Sequence, residues 1–209
     1  MCRNHLEVSL GFTDDKVPSG THMCLIYTDE EERREALLKF LQSGIENGER
    51  TACFSEKTDE TTVREFLLDK GIPYSDHKQR KAISLHGTRE VYFEGGVFDP
   101  DKMLNNLKSF YRDSMDMGFT AARVIGEMIP EVQDVPGGER LLEYESRVTM
   151  MLRDEPVTSV CQYDANAFDG ATILEVLKVH PQMIVNGAVV NNPFYIKPEI
   201  YLNKHTQNE

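Results

Sequence analysis

The chain lacks any apolar run near the roughly 18 residues that a membrane-spanning helix needs, so no transmembrane segment is predicted. Its first residues contain no continuous apolar stretch of the signal-peptide type, and we expect a cytoplasmic protein. No C-x-x-C pair occurs among Cys2, Cys24, Cys53 and Cys161, and the last three lie in apolar, strand-like runs. This pattern favours reduced thiols over disulfides.

Positive charge is scarce. Lys and Arg total 23 against 35 Asp and Glu, which gives a formal net charge of −12. Contacts with nucleic-acid phosphates need concentrated Lys and Arg, so we expect no direct binding to nucleic acid. The short basic clusters at Arg33–Arg34 and Lys78–Lys81 are expected to be solvated. The length of 209 residues fits one domain with a substantial core.

Apolar, strand-like runs alternate with amphipathic helical patterns along the chain. The predicted strands are 23–27, 51–55, 83–86, 91–93, 121–126 and 156–162, followed by a hairpin of 183–185 and 188–190. The predicted helices are 31–46, 59–70, 100–117, 138–152 and 171–179. This alternation predicts an α/β fold, a mainly parallel sheet with helices on both faces in a single domain. Residues 1–10 form a predicted N-terminal extension, and 198–209 a polar C-terminal tail that we expect to be frayed.

The turn after the first long strand lacks the residues of a phosphate-binding loop. Such a loop needs glycines for close backbone approach and a Lys-Ser/Thr pair for phosphate and magnesium. After Met23–Tyr27 the chain reads Thr-Asp-Glu-Glu-Glu-Arg-Arg, with neither glycine nor lysine. Thr28 with Glu31, or Asp29 with Glu32, forms a capping-box pattern that would offset the positive end of the helix dipole. An ATPase scaffold without its phosphate site favours sensing or binding over catalysis.

Polar and aromatic residues follow the predicted strands at the edge where ligands of open α/β sheets bind. Glu127 lies where related ATPases hold an acid near magnesium, and it could anchor a polar ligand or pair with Arg123. Side-chain alternation places Cys161 and Tyr163 on the face opposite to Asp164. Cys161 is either a soft ligand or a small core residue, and Glu127 either a ligand anchor or one partner of an ion pair. We predict a ligand pocket lined by Tyr27, Glu127, Cys161 and Tyr163, with Arg123 and Asp164 orienting the ligand.

A metal centre is the weaker possibility. Its potential ligands are His22, Cys24, Cys161 and His180, and His22-x-Cys24 points two of them in one direction. However, His22 starts its strand whereas Cys161 lies near the end of another, which predicts opposite edges of a parallel sheet. No C-x-x-C or H-x-x-x-H pair supports the site, so we predict no metal and no cofactor. The chain contains no Gly-x-Ser-x-Gly motif and no convincing Cys-His pair, so we do not predict an enzyme.

Six segments in a fixed order resemble the MEDS family, the methanogen/methylotroph, DcmR-type sensory domains. The segments are Ser-Gly-Thr-His-Met-Cys-Leu-Ile-Tyr at 19–27, Asp-Pro at 99–100, Arg-Val-Ile-Gly-Glu-Met at 123–128, Glu-Arg-Leu-Leu-Glu-Tyr-Glu at 139–145, Cys-Gln-Tyr-Asp at 161–164 and His-Pro at 180–181. The resemblance runs from about Gly11 to Tyr195, and residues 11–197 are therefore assigned to a sensory domain. No single motif is specific, but the ordered set is.

The resemblance implies a RecA/KaiC-like core without ATPase activity that senses small hydrocarbon derivatives, such as methylated or halogenated one-carbon compounds. It also implies output through a signalling partner, such as a histidine kinase or a transcription regulator, and leaves room for a homo-oligomer. The alternative is a degenerate RecA-like scaffold for protein interaction or oligomerisation that binds no small ligand. Its acidic surface and Met115, Met117, Met150 and Met151 would then serve a partner interface.

Overall fold

A computed structural model describes residues 6–205 as a seven-stranded sheet between two layers of helices, with a small N-terminal hairpin beside it. The strands are β1 Glu7–Ser9, β2 Lys16–Pro18, β3 His22–Tyr27, β4 Arg50–Phe54, β5 Ile83–His86, β6 Ala122–Met128, β7 Val157–Asp164, β8 Gln182–Val185 and β9 Ala188–Asn191. The helices are α1 Glu30–Glu46, α2 Glu60–Asp69, α3 Tyr74–Gln79, α4 Thr88–Tyr92, α5 Pro100–Asp116, α6 Leu141–Met151, α7 Gly170–Val179 and α8 Pro198–His205.

The large sheet has the strand order β5-β4-β6-β7-β3-β8-β9, and its strands are parallel except for the antiparallel pair β8 and β9. The hairpin between these two strands turns at Asn186 and Gly187, whose φ angles of 48° and 76° suit a tight turn. The predicted α/β class and parallel sheet are confirmed. Because the carboxyl ends of β3, β4, β6 and β7 share one edge, the residues that follow these strands meet there.

Each face of the sheet buries its own apolar cluster. On one face, Leu37, Phe40 and Leu41 of α1 pack with Val63 and Leu67 of α2 against alternate residues of β3 and β6. The other face is covered mainly by α5, α6 and α7, with the aromatic residues of α4 among them. The helices therefore cover both faces, as predicted, and the central strands β3, β4, β6 and β7 are buried on two sides.

Three segments differ from the sequence-based expectation. Residues 91–93 do not form a strand, because a three-residue apolar run is too short to specify one and most of it lies in the short helix α4. The tail is not frayed over Pro198–His205, which forms α8 with Tyr201 only 4% exposed. The predicted N-terminal extension lies partly outside the described residues, but within it Val8 and Leu10 are buried in the core.

Two simpler expectations concern cysteines and membranes. Cys24, Cys53 and Cys161 are free thiols, as predicted, while Cys2 lies outside the described residues. Within residues 6–205, every helix is too short or too polar to cross a bilayer.

Candidate functional site

The connection from β3 to α1 consists of only two residues, Thr28 and Asp29. Asp29 is the N-cap of α1, and its Oδ1 accepts a hydrogen bond of 2.8 Å from the backbone N–H of Glu31. Glu30 and Glu32 add further negative charge to the first helical turn. Here the Asp29 carboxylate occupies one of the N–H groups that a phosphate would need and places negative charge at the helix start, which disfavours a phosphate group there.

A group that we call the strand-end cluster lies beside this turn and consists of Tyr27, Ser55, Lys57, Glu127 and Asp164. The Lys57 ammonium donates to the Tyr27 hydroxyl at 3.0 Å and to Asp164 Oδ2 at 3.1 Å, and it lies 3.3 Å from Glu127 Oε1. Glu127 also accepts from the Ser55 hydroxyl at 2.8 Å and from the Tyr27 hydroxyl at 3.3 Å. The carboxylate of Glu127 is 1% exposed and the side chain of Lys57 is 40% exposed, so solvent reaches the cluster through the lysine.

The electrostatics of the strand-end cluster keep Lys57 charged and Tyr27 protonated. Burial opposes the charge of Lys57, but its hydrogen bonds with Tyr27 and Asp164 outweigh burial and raise its pKa. Burial and the nearby Glu127 raise the pKa of Tyr27 to about 12, against the opposing effect of Lys57. For Asp164, burial alone would raise the pKa. The hydrogen bonds from the backbone of Asn166 and from Lys57 outweigh burial, so the pKa of Asp164 lies below its usual value.

Arg33 is buried beside the strand-end cluster and shares the carboxylate of Glu30 with Lys57. This corrects the expectation that Arg33 and Arg34 are solvated. Its side chain is fully buried and donates to Glu30 Oε1 at 2.7 Å, Thr58 Oγ1 at 2.8 Å and Gln162 Oε1 at 3.3 Å. Only Arg34 is exposed as expected. Helical periodicity places Arg33 on the buried face of α1, four residues before Leu37, but a charged residue at that position is ordinarily expected to be solvated.

The structure brings together three of the six predicted ligand residues, Tyr27, Glu127 and Asp164. Lys57, which the sequence analysis missed, joins them because it follows β4 by three residues and folds back over the sheet edge. Its signal in the sequence is weak, a single lysine in a polar loop. Glu127 therefore pairs with Lys57, and the pairing with Arg123 considered above does not occur.

Arg123 lies at the start of β6, away from the strand-end cluster, in a buried ion pair with Glu49. Its Nε donates to Glu49 Oε2 at 2.8 Å, and its Nη2 donates to the other carboxylate oxygen. The remaining N–H groups donate to the carbonyl oxygens of Phe40 at 3.0 Å and Ser9 at 2.9 Å. Arg123 thus joins α1 and the N-terminal hairpin to the sheet.

Cys161 and Tyr163 point to the opposite face of the sheet, as alternation predicted, into a second group that we call the imidazole cluster. Its members are His22, Glu145, Cys161 and His180, whose ligand atoms all lie within 4.8 Å of one another. The Tyr163 hydroxyl donates to Glu145 Oε1 at 2.6 Å and fixes that carboxylate from outside the cluster. The predicted pocket thus separates into two sites on opposite faces of the sheet.

His22 and Cys161 do not lie at opposite edges of the sheet, and that prediction is wrong. The register pairs His22 with Ser159 and Cys24 with Cys161, so His22 and Cys161 lie only two positions apart on neighbouring strands. The distance from Cys161 Sγ to His22 Nε2 is 3.5 Å. Cys24, the fourth proposed ligand, instead faces the Gln182 carbonyl, and Glu145, which the sequence analysis missed, takes its place.

The fold has counterparts of known structure. A KaiC-like protein from Pyrococcus horikoshii superposes with a TM-score of 0.59 at 16% identity, over 87% of this chain and 80% of that chain. The flagellar accessory protein FlaH from Methanocaldococcus jannaschii gives a TM-score of 0.63 at 8% identity, over 89% and 84% of the two chains. These likenesses establish the fold alone: the chain is a RecA/KaiC-like domain, as the resemblance implied.

The family follows from the sequence. The family model of the MEthanogen/methylotroph, DcmR Sensory domain, MEDS, matches residues 21–181, and this chain belongs to that family. A relative, the transcriptional repressor DcmR of Methylorubrum extorquens, is 24% identical over 160 residues. The aligned part covers 76% of this chain and 57% of the repressor, so this chain spans little more than half of that relative's length.

Proposed function

We propose that this chain is a non-catalytic sensory domain that binds a small neutral or cationic molecule at the strand-end cluster and relays binding to a partner protein. The observation that supports the proposal is the Lys57 ammonium, which has Glu30, Glu127 and Asp164 within 3.4 Å at the strand ends. In a RecA-like ATPase this region receives phosphates and magnesium. Here it contains an internal network of ion pairs.

Electrostatics argue against a nucleotide in this position. The carboxylates of Glu30, Glu127 and Asp164 outnumber the cations Lys57 and Arg33, and the first turn of α1 adds further acid. Each like-charge contact at about 4 Å costs on the order of 1 kcal/mol in water and more where water is excluded. A triphosphate would make several such contacts without the glycine-rich backbone that normally offsets them.

The same features fit a small uncharged or cationic ligand. Lys57 is partly exposed and is the member of the cluster that can move, whereas Glu127 beneath it is buried and already hydrogen-bonded on both oxygens. A ligand that displaces the ammonium would find the Tyr27 hydroxyl and two carboxylates. Methylated or halogenated one-carbon compounds are the ligand class that the family resemblance implies.

Displacement of Lys57 would carry the binding signal to two elements of the fold. The ammonium links Glu30 at the start of α1 to Asp164 at the end of β7, so its release would break an ion pair at each of them. A ligand shifts such an equilibrium only through its different affinity for the two states. We propose that a signalling partner, such as a kinase or a transcription regulator, reads this change; the repressor named above is one protein in which a sensory region accompanies further sequence.

The test combines ligand-observed NMR with calorimetry on the purified chain. We expect saturation transfer to at least one member of a panel of one-carbon alcohols, halides, thiols and methylamines, and no heat with ATP and Mg²⁺. Lys57→Gln should change the affinity for that ligand at least several-fold. Lys70→Gln, which removes the same charge at an exposed position after α2, is the matched control and should leave it unchanged. Tight, magnesium-dependent ATP binding would overturn the proposal.

The scaffold alternative is supported by exposed methionines at one end of the molecule. Met117 is 45% exposed and directly follows α5, and Met150 is 38% exposed in the last turn of α6; these two helices pack together. Sedimentation velocity distinguishes the two functions. A concentration-dependent dimer that Met150→Asp dissociates, together with no response to the ligand panel, would favour the scaffold.

A further inference from the structure

We propose that the imidazole cluster, His22, Glu145, Cys161 and His180, is a buried binding site for a divalent transition metal, with Zn²⁺ as the ion that its ligands suit best. The site lies on the face of the sheet opposite to the strand-end cluster. It therefore does not depend on the sensory proposal.

His180 provides the observation that points to a missing ligand. Its Nδ1 lies 2.8 Å from the Val176 carbonyl, which can only accept, so Nδ1 carries the hydrogen and Nε2 of the neutral ring presents a lone pair. Nε2 is buried and has no hydrogen-bond partner among residues 6–205. The closest carboxylate atom, Glu145 Oε2, is 3.6 Å away, beyond the usual hydrogen-bond range. A cation held between two electron-rich atoms that face each other in this way would satisfy both.

His22 is oriented in the same manner. Its Nδ1 lies 2.8 Å from the Thr149 hydroxyl, and that hydroxyl has the carbonyl oxygens of Glu145 and Val179 at 3.4 Å as acceptors for its own hydrogen. Thr149 therefore accepts from Nδ1, and Nε2 of His22 also presents a lone pair to the cluster. A histidine whose distal nitrogen is fixed by an outer hydrogen bond is the usual arrangement of a metal ligand.

The distances match a tetrahedral site. Zinc bonds of about 2.0 to 2.3 Å place tetrahedral ligand atoms roughly 3.3 to 3.8 Å apart. Glu145 Oε2 lies 3.3 Å from His22 Nε2, 3.6 Å from His180 Nε2 and 3.7 Å from Cys161 Sγ. Cys161 Sγ lies 3.5 Å from His22 Nε2. Four of the six ligand separations therefore fit before any adjustment, and all six are within 4.8 Å.

Charge and burial favour the same ion. Two imidazoles, one thiolate and one carboxylate surround the metal with a charge of −2, so a divalent ion leaves the site neutral, which a buried site requires. On binding, the Zn–Sγ bond forms as the Cys161 S–H bond releases its proton to solvent. Three of the four ligands are buried, and Cys161 is the one residue among them of intermediate exposure. The mixture of nitrogen, sulfur and oxygen ligands suits zinc better than magnesium or calcium.

The experiment uses the full chain, stripped of metal with chelator under reducing conditions and titrated with Co²⁺ and then Zn²⁺. We expect one Co²⁺ per chain, intense visible bands of a tetrahedral ion and a near-ultraviolet thiolate-to-cobalt band, all of them abolished by Zn²⁺. Cys161→Ser should remove the thiolate band. Cys24→Ser, the neighbouring buried cysteine in register with Cys161, should retain it.

Three further variants separate metal ligands from residues that do not bind the metal. His180→Gln should lower Zn²⁺ affinity at least tenfold, whereas His86→Gln, at an exposed histidine, should leave it unchanged. Thr149→Val should lower it roughly 10- to 100-fold, because the outer hydrogen bond to His22 is lost. Circular dichroism confirms that each variant folds. If Cys161→Ser fails to fold, the wild type still decides the question, since bound Zn²⁺ must slow alkylation of Cys161.

Three results would overturn the site. They are a cobalt spectrum of octahedral type without a thiolate band, loss of that band in Cys24→Ser and not in Cys161→Ser, or Cys161 alkylation that is indifferent to Zn²⁺.

Discussion

Substitution of Arg123 by methionine tests whether this residue is structural. Arg123 and Glu49 are fully buried, and the guanidinium also satisfies the carbonyl oxygens of Ser9 and Phe40. Methionine replaces the apolar stem of the side chain but removes the guanidinium, and with it the charge and every donor. The variant therefore leaves the Glu49 carboxylate buried without its partner, far from the strand-end cluster.

The cost follows from that unpaired charge. Removal of one partner of a buried ion pair destabilises a protein by about 3 to 5 kcal/mol. For a chain of this length the same loss corresponds to a fall of roughly 6 to 20 °C in Tm. The double variant Glu49→Leu with Arg123→Met buries no charge, so it should be less destabilised than the sum of the single variants. It also removes the guanidinium donors of the Phe40 and Ser9 carbonyl groups, although the Ser9 carbonyl still accepts from the Ser43 hydroxyl at 2.9 Å.

Urea unfolding of the wild type, both single variants and the double variant gives the four free energies of this cycle. The reasoning fails if each single variant costs less than about 1 kcal/mol, or if the double variant equals the sum of the two. The ligand panel provides a second readout. If Arg123→Met abolishes ligand binding without loss of stability, the orienting role predicted from the sequence would stand.

Three further outcomes can be measured by the same unfolding assays. Gly44→Ala should destabilise the chain by about 1 to 3 kcal/mol despite the higher helix propensity of alanine, because its Cβ would lie 2.5 Å from Thr51 Cγ2 and 2.7 Å from Arg123 Cδ. Asp164 has a lowered pKa, so its contribution is present above its unfolded pKa of about 3.9 and is lost as pH falls through the folded pKa. The stability difference between wild type and Asp164→Asn should therefore shrink below about pH 4 and stay constant near neutrality. Tyr201→Ala should cost about 3 kcal/mol if α8 packs as described, and almost nothing if the tail is frayed.

The periodic segments were predictable because local pattern and tertiary packing agree. The strand 83–86 has the predicted bounds, and the hairpin at Asn186–Gly187 follows from two residues that tolerate positive φ. The short helix α4 was not predictable in the same way. Thr88 starts it by donating its hydroxyl to the Glu127 carbonyl at 2.9 Å, a contact between residues 39 positions apart.

The two clusters contain site residues that the sequence could predict and others that it could not. Tyr27, Glu127 and Asp164 were found because strand ends can be read from apolar runs. Lys57 and Glu145 lie in a loop and on a helix, where a charged residue is the ordinary expectation and carries no signal. Strand order brought His22 beside Cys161, and the sequence analysis did not deduce the register that aligns them.

The turn between Tyr27 and Glu30 is only two residues long, which limits how a phosphate-binding loop could be engineered into this domain. A phosphate cradle occupies about six residues between its strand and its helix, and glycines alone do not supply that length. Exchange of side chains at constant length therefore does not supply the backbone length of such a cradle, which only an insertion between Tyr27 and Glu30 would add.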